Sequence, residues 1–421
     1  MAEIRKATGF IDWLDQRLAV NKFIKVMMTE YWIPKNINFL WAMGVVLMVL
    51  FMVLIVSGIF LLMYYKPDIK LAFDSVNYTI MQEVEYGWLW RHIHGVSASV
   101  IFLVIYIHMF TGIYYGSYKK GREIIWLTGM ALFGMFSAEA FSGYMLPWGQ
   151  MSYWAAQVIT NLFGGIPFIG ESLVIWIRGD FLVADATLTR FFMLHVLLLP
   201  LVILLLIAIH FYSLRVPHVN NQESEEFDFD VESKKYLDGN KVESKVVPFW
   251  PVFLSKDFFV VGVALTAFFY LVCFHYDFAM DPINFDPANN MKTPAHIYPE
   301  WYFLWSYEVL RGFFFDIGGI AAMDIGLAAF GFANVIFMLL PFLDRNTEHT
   351  APAHKRPLFF VWFWLLLIDM IVLTVYGKLP PTGNNAWVGF GATITFLVLF
   401  IILPIITKME ANCKCTNGGC K

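Results

Sequence analysis

Long apolar runs, separated by shorter polar stretches, dominate the chain. Eight of them, near 39–64, 92–115, 124–146, 190–213, 257–275, 325–342, 358–376 and 387–406, come close to the ~20 residues that a helix needs to cross bilayer hydrocarbon. They are too long for buried strands, and none alternates apolar and polar positions as a membrane barrel strand does. The pattern predicts an all-α membrane protein with eight transmembrane helices. Ahead of the first run the chain is mixed. Phe10, Ile11, Trp13, Leu14 and Leu18 there predict an amphipathic helix lying along the membrane surface, and no secretory signal is visible.

Two kinds of interruption organise the pattern. Residues 220–247 carry eight acids and four lysines, the composition of a solvated linker. That linker divides an N-terminal part (1–219) from a C-terminal part (248–407), with a short tail at 408–421. The connections 147–189 and 276–320 are long but not polar, and they hold Trp148, Trp154, Phe168, Trp176, Trp301 and Trp305. Loops this rich in aromatics pack into a site or lie at the interface. They point to a pocket on their side of the membrane.

Composition narrows the class. With 59% hydrophobic and 15% charged residues and a mean hydropathy of +0.62, the chain has too little polar surface for a soluble domain. The net charge of −4 comes without a basic stripe, which argues against nucleic-acid binding. If the N-terminus lies inside, twenty-one of the 29 Lys and Arg fall on inside segments, so the positive-inside bias places both termini in the cytoplasm. Cys273 lies in a helix, and Cys413, Cys415 and Cys420 lie in the tail on the reducing side, where a disulfide framework is not expected. The C-x-x-C-H pattern of covalent haem attachment is absent.

Histidine inside a membrane helix is costly and usually functional. His94 and His108 lie fourteen residues apart on the second predicted helix, and His195 and His210 lie fifteen apart on the fourth. Fourteen helical steps return to within ~40° of the starting face and climb ~21 Å; fifteen give ~60° and ~22 Å. Both helices run from outside to inside, so His94 can meet His195 near the outer face and His108 can meet His210 near the inner one. Two imidazole pairs between facing helices would hold two planar macrocycles axially, as haem iron requires. Gly44 and Gly58 on the first helix, and Gly129 and Gly143 on the third, are also fourteen apart. A helix loses its side chains where a flat ring presses on it. That places Gly44 and Gly129 at the inner haem and Gly58 and Gly143 at the outer. Arg91 and Arg190, at the outer ends of the histidine helices, are candidate partners for the propionates of the outer haem, or else interfacial anchors.

At this point the chain resembles cytochrome b of the respiratory quinol:cytochrome c oxidoreductases. The resemblance rests on GYMLPWGQMSYW (143–154), ATLTRFFMLH (186–195), SKDFF (255–259) and PEWYFLWSYEVLR (299–311), and it runs from about residue 10 to 407. It implies a four-helix bundle holding two haems b: a low-potential outer one on His94 and His195, and a high-potential inner one on His108 and His210. It implies that Glu300 accepts a proton at an outer quinol-oxidation site, with Tyr302, Tyr144 and Tyr307 nearby, as chemistry that releases protons requires. Lys256 and Asp257 match residues of an inner quinone-reduction site. The resemblance further implies a Rieske iron–sulfur protein and a c-type cytochrome as partners, a dimeric complex, and the bacterial cytoplasmic (inner) membrane.

Several positions depart from the mitochondrial form of that family. The His195–His210 spacing is one residue longer, as in photosynthetic cytochromes b, and KKGREIIW (119–126) also looks like that branch. Thr111 replaces an arginine that usually meets the inner propionate. Arg215 stands where a quinone-binding histidine is usual, and His218 could take that part. Ala155 follows Trp154 where members susceptible to strobilurin-type inhibitors have glycine, and its methyl would obstruct a rigid inhibitor in a packed wall. Two other functions compete: a haem-b membrane anchor of another quinone-linked oxidoreductase, and a proton-coupled transporter relaying protons through intramembrane histidines.

Overall fold

A computed structural model describes residues 8–346, 351–412, 415–416 and 419–420. Among them, seven helices are long and apolar enough to cross a membrane: Phe39–Leu62, Gly87–Tyr114, Glu123–Met145, Asp185–Arg215, Phe249–Phe274, Pro357–Lys378 and Asn384–Ala411. Each covers one of the expected runs, and the protein is an integral membrane protein built mostly of helix. The run expected at 325–342 is different. It forms a 15-residue helix, Ala322–Ile336, then a turn and the four-residue helix Leu340–Leu343. Pro341 is the local cause, because it has no N–H to continue an α-helical ladder and fits only the first turn of a new helix.

The first long helix packs along the second and the third along the fourth. Phe51 against Phe136 and Phe102 against Phe133 tie the two pairs together edge-to-face. The fifth helix lies on the first and second, while the last two form a second group with the short helix Leu304–Arg311. A buried cluster including Met109, Trp126, Trp305, Trp362 and Phe396 joins that group to the second and third helices. The fourth helix is not a uniform α-helix. Leu194–Leu198 makes one π-turn, immediately before Pro200.

The aromatic connections are ordered. Gln150–Leu162 and Gly170–Arg178 are helices, and the buried Arg178 clamps them by donating to Thr160 (2.9 Å), Gln157 (3.1 Å) and Asn161 (2.9 Å). Segment 220–247 has more order than its charge suggests. It contains helix Phe229–Leu237, capped by Asp228, and buries Asn220, Asn221, Glu232 and Ser244. Its end continues into Val246–Pro248, which pairs antiparallel with Trp32–Pro34. Phe10–Leu18 is helical with no buried residue, and Phe10, Ile11 and Leu18 are exposed. In the tail, Cys415–Thr416 pairs with Gly419–Cys420, and Cys413 lies outside the described residues.

One buried ion cluster joins the connection after the second helix to the segment that precedes the sixth, Pro357–Lys378. Asp344 receives both Arg356 terminal nitrogens (2.8 and 3.0 Å), the Lys119 ammonium (2.8 Å) and the Tyr118 hydroxyl (2.6 Å). Removing one member of a buried ionic set leaves the others uncompensated, which typically costs ~3–5 kcal/mol. Asp344→Ala should therefore lower the thermal inactivation midpoint of the detergent-purified protein well below that of Ser255→Ala, an exposed control. Equal midpoints would show that the cluster does not hold these segments together.

Candidate functional site

Each glycine of the two spaced pairs faces the histidine expected for its depth. A Cβ on Gly58 would stand 3.2 Å from Cε1 of His94, and one on Gly129 3.2 Å from Cε1 of His210. On Gly44 it would stand 3.7 Å from His108 Cε1. On Gly143 it would overlap His195, with Nδ1 at 2.9 Å. Each bare glycine thus lies against the imidazole of its own level.

The π-turn accounts for the longer spacing on the fourth helix. A π-turn closes i→i+5 hydrogen bonds, so it absorbs one residue more than an α-turn. It contains His195, and the fifteen-residue separation thus returns His210 to the face that fourteen residues reach elsewhere. His94 and His195 then stand with ring centres 6.1 Å apart. The centres of two imidazoles that share one metal ion stand ~6 Å apart, given ~2 Å for each metal–nitrogen bond and ~1 Å from each nitrogen to its ring centre.

Neighbouring helices fix the ring orientations. His94 Nδ1 lies 3.0 Å from the Ser57 hydroxyl, which itself donates to the Val53 carbonyl (2.7 Å). His210 Nδ1 lies 3.0 Å from the Thr128 hydroxyl, which donates to the Ile124 carbonyl (2.8 Å). His195 Nδ1 reaches the Glu139 carbonyl at 3.1 Å and the Glu139 carboxylate at 3.0 Å. Occupying Nδ1 in this way leaves Nε2 free for a metal, the outer-shell pattern of ligating histidines. The residues fit a bis-imidazole haem at the His94–His195 pair: bare glycines, anchored Nδ1 atoms, and a void between them. His108 and His210 lie within electrostatic reach of each other, and they are the second candidate pair.

The void at His94 and His195 continues to Glu300. It spans about 1810 Å³ of non-protein space, the open solvent at its mouth included, and is lined by Gly58, Arg91, Gly143, Tyr144, Asp281 and Tyr302 among others. Glu300 caps the short turn Trp301–Phe303. Burial pushes its carboxyl up to about 7 and nearby Asp281 adds to the rise, while the Tyr144 hydroxyl, Arg91 and Lys378 oppose it. Tyr302 stacks on Phe102 at 4.0 Å, and its carbonyl accepts from the Tyr106 hydroxyl (2.6 Å). The Tyr307 hydroxyl donates to the Ile297 carbonyl (3.0 Å). The walls are stitched across the two connections, since Gln150 N–H donates to Asp286 (2.8 Å) and Ser152 N–H to the Asn284 side chain (2.8 Å). Gly149 leaves no room for a Cβ against Asn284. Arg91 is in the cavity wall, whereas Arg190 is exposed and donates to the Trp176 carbonyl. Ala155 is buried but stands outside the residues that line the cavity.

Arg215 and His218 converge at the opposite end of the bundle, on a residue the sequence did not single out. The Arg215 guanidinium stands 3.8 Å over the Tyr31 ring. His218 lies between Tyr31 (5.5 Å) and Phe229 (4.1 Å) in near-parallel stacks. The Tyr31 hydroxyl and His218 Nδ1 are both buried without a hydrogen-bond partner among the described residues. Burial, reinforced by Arg122 and Arg215, holds the His218 imidazole below its usual range. Asp257 is buried with one oxygen unpartnered, and Lys256 is exposed. The sequence carried a signal for two other missed residues, Ser57 and Thr128, since each hydroxyl immediately precedes one of the spaced glycines. Tyr31 had none.

Two family profiles cover most of the chain: Cytochrome b/b6/petB over residues 28–217 and Cytochrome b(C-terminal)/b6/petD over residues 287–409. The chain is 40% identical to cytochrome b of Rhodobacter capsulatus over 417 residues, which is 96% of this chain and 92% of that one. It is 40% identical to cytochrome b of Rickettsia prowazekii over 407 residues, 96% of each. A chain of a solved structure described as a hyperthermophilic respiratory Complex III superposes with a TM-score of 0.85 at 40% identity, covering 96% of this chain and all of that one.

The unequal clearances at the glycines give a graded expectation. Gly143→Ala must displace the His195 ring, whereas Gly44→Ala brings only an ordinary contact with His108. Optical difference spectra of the two variants should show haem-b absorbance lost on the outer pair in the first and retained on the inner pair in the second. Two unaltered spectra would mean that the glycines do not set the ring positions.

Proposed function

We infer that this chain, which belongs to the cytochrome b family, is the cytochrome b subunit of a quinol:cytochrome c oxidoreductase. The observation that carries the reading is a single cavity that contains both a facing imidazole pair and a buried carboxyl with a pKa of about 7. Two b haems, a low-potential one held by His94 and His195 and a high-potential one held by His108 and His210, would supply one-electron transfer across the membrane.

Oxidising a quinol releases the protons of its ring hydroxyls, so the cavity must offer a base. Glu300 is that base: near neutral pH it exists in both forms and can take a proton and release it again. Tyr144 hydrogen-bonds the carboxyl and Arg91 lies close enough to favour its ionised form, while Tyr302, packed on Phe102, shapes the wall where the ring lies. At the other end, Arg215, His218, Lys256 and Asp257, with Tyr31, form the site where quinone is reduced, so that electrons cross and protons are moved between the two sides. The stacked, uncharged His218 imidazole and the unpartnered Tyr31 hydroxyl would meet a quinone ring and its carbonyl oxygen.

The short helix Ala322–Ile336, extended by Leu340–Leu343, supplies an eighth span. With eight spans both termini lie in the cytoplasm, and the membrane is the bacterial inner membrane. A Rieske iron–sulfur protein and a c-type cytochrome complete the complex as electron acceptors, in a dimeric assembly.

Two experiments test the reading. In the first, His94→Leu and His195→Leu should abolish one b-haem signal and His108→Leu and His210→Leu the other; a variant that kept both signals unchanged would remove the pairing. In the second, Glu300→Gln should keep both haems but slow quinol:cytochrome c turnover by at least about tenfold, since a lost proton acceptor typically costs ~10²–10⁴ in rate. The base form predominates above its pKa, so wild-type turnover should rise with pH through about 7, and the variant should lack that rise. A variant with wild-type turnover and pH profile would exclude Glu300 as the acceptor.

A further inference from the structure

We propose that Glu139 is a positioning residue that lowers the reduction potential of the outer haem by hydrogen-bonding the distal nitrogen of its ligand His195. The inference rests on the haem assignment above.

The three histidines with resolved Nδ1 partners are not treated alike. His94 and His210 are each met by a neutral hydroxyl whose own proton is already donated to a backbone carbonyl. His195 alone among them meets a carboxylate: Glu139 Oε1 stands 3.0 Å from Nδ1, next to the Glu139 carbonyl at 3.1 Å. The contact is built into the third helix. Glu139 lies one helical turn before Gly143, and the bare backbone of Gly143 is what lets the His195 ring approach that helix. Glu139 belongs to the wall of the same cavity as Glu300, and its second carboxyl oxygen, Oε2, is buried without a hydrogen-bond partner among the described residues. An acid placed in a membrane helix with half of its hydrogen-bonding capacity unused is costly to keep there. No cationic side chain is recorded in an ion pair with it among the described residues, so charge pairing with Lys or Arg does not explain it.

A carboxylate accepting the Nδ1–H draws that proton toward itself and raises the electron density of the ring, so Nε2 becomes a stronger donor. A stronger donor and a nearby negative charge both favour ferric over ferrous iron. Outer-shell hydrogen bonding is one of the levers that set haem potentials. The effect is specific to the outer pair, because among the described residues no ion pair joins a carboxylate to His108 or His210, and His210 Nδ1 is held by Thr128. The expected outcome is a wider separation between the two haem potentials than the histidine ligands alone would give.

The test is an anaerobic redox titration of the whole complex in membranes, following both haem-b bands in wild type, Glu139→Gln and Glu139→Asp. In Glu139→Gln the ferrous-to-ferric ratio of the outer haem at a fixed ambient potential should rise about tenfold, the lower end of outer-shell effects, equivalent to about 59 mV upward for a one-electron couple. The inner haem should not move, and Glu139→Asp should restore part of the shift. An unchanged outer potential in Glu139→Gln overturns the proposal. So does an equal shift of both haems, which would be a general field effect. If Glu139→Gln lost the outer haem while Glu139→Asp kept it at low potential, the carboxylate would be confirmed as the group that holds His195; loss in both variants would assign it to packing and overturn the proposal. A wild type without two b-haem signals would instead overturn the haem assignment itself.

Discussion

A bilayer interior supplies no water to complete a hydrogen bond, so every polar group placed there must find its partner in the protein. The bundle meets this demand at the histidines by taking one nitrogen of a ring for a neighbouring helix and leaving the other free. Ser57 and Thr128 act as relays: their hydroxyl protons go to the preceding turn of their own helix, which leaves a lone pair to receive the imidazole N–H. That arrangement requires the helices to approach within one ring thickness. The glycine following each of these hydroxyls makes the approach possible. Much of the packing of the first four helices follows from it, including the pairing of first with second and third with fourth.

The cavity wall is not supplied by these four helices alone. Glu300, Tyr302, Asp281 and Asn284 come from the connection after the fifth helix, and backbone hydrogen bonds to Gln150 and Ser152 fix that connection against the segment after Gly143. The second attachment, at the far end, is the ion cluster around Asp344. The parts before and after residues 220–247 are therefore joined at both ends of the bundle, with an apolar cluster between. A proton acceptor carried by one part is thus held at a fixed place relative to imidazoles carried by the other.

How much of this was legible in the sequence varied with the physics. Apolar length located seven membrane helices, because composition alone decides whether a segment can sit in hydrocarbon. The fourteen-residue repeat of His94/His108, Gly44/Gly58 and Gly129/Gly143 gave their mutual placement, since helical geometry converts spacing to depth. The fifteen-residue spacing of His195 and His210 could be counted, but the π-turn that absorbs it, at Leu194–Leu198, has no periodic signature of its own. Pro341 was visible, yet its effect on the eighth run was masked by the apolar residues on both sides. The gathering of Tyr31, Arg215 and His218 was hidden for another reason. It joins residues nearly two hundred positions apart through loops, where no periodicity carries information. The partner of Arg190 was likewise not legible, since its side chain turns to the carbonyl of Trp176 in the preceding connection.

The fifteen-residue helix Ala322–Ile336 has an effect outside the protein. It is ~22 Å long, against ~30 Å of bilayer hydrocarbon, and its exposed Met323, Phe332 and Val335 face outward beside neighbours of 22 and 28 residues. Where this helix meets lipid without Leu340–Leu343 completing the crossing, the lipids beside it would have to shorten or tilt, and such hydrophobic mismatch costs fractions of a kcal/mol per ångström. The stretch of perimeter around Phe332 and Val335 would then be where the surrounding membrane is most deformed. Covering it with any second apolar surface would release that elastic strain, a driving force for lateral association that requires no specific contact.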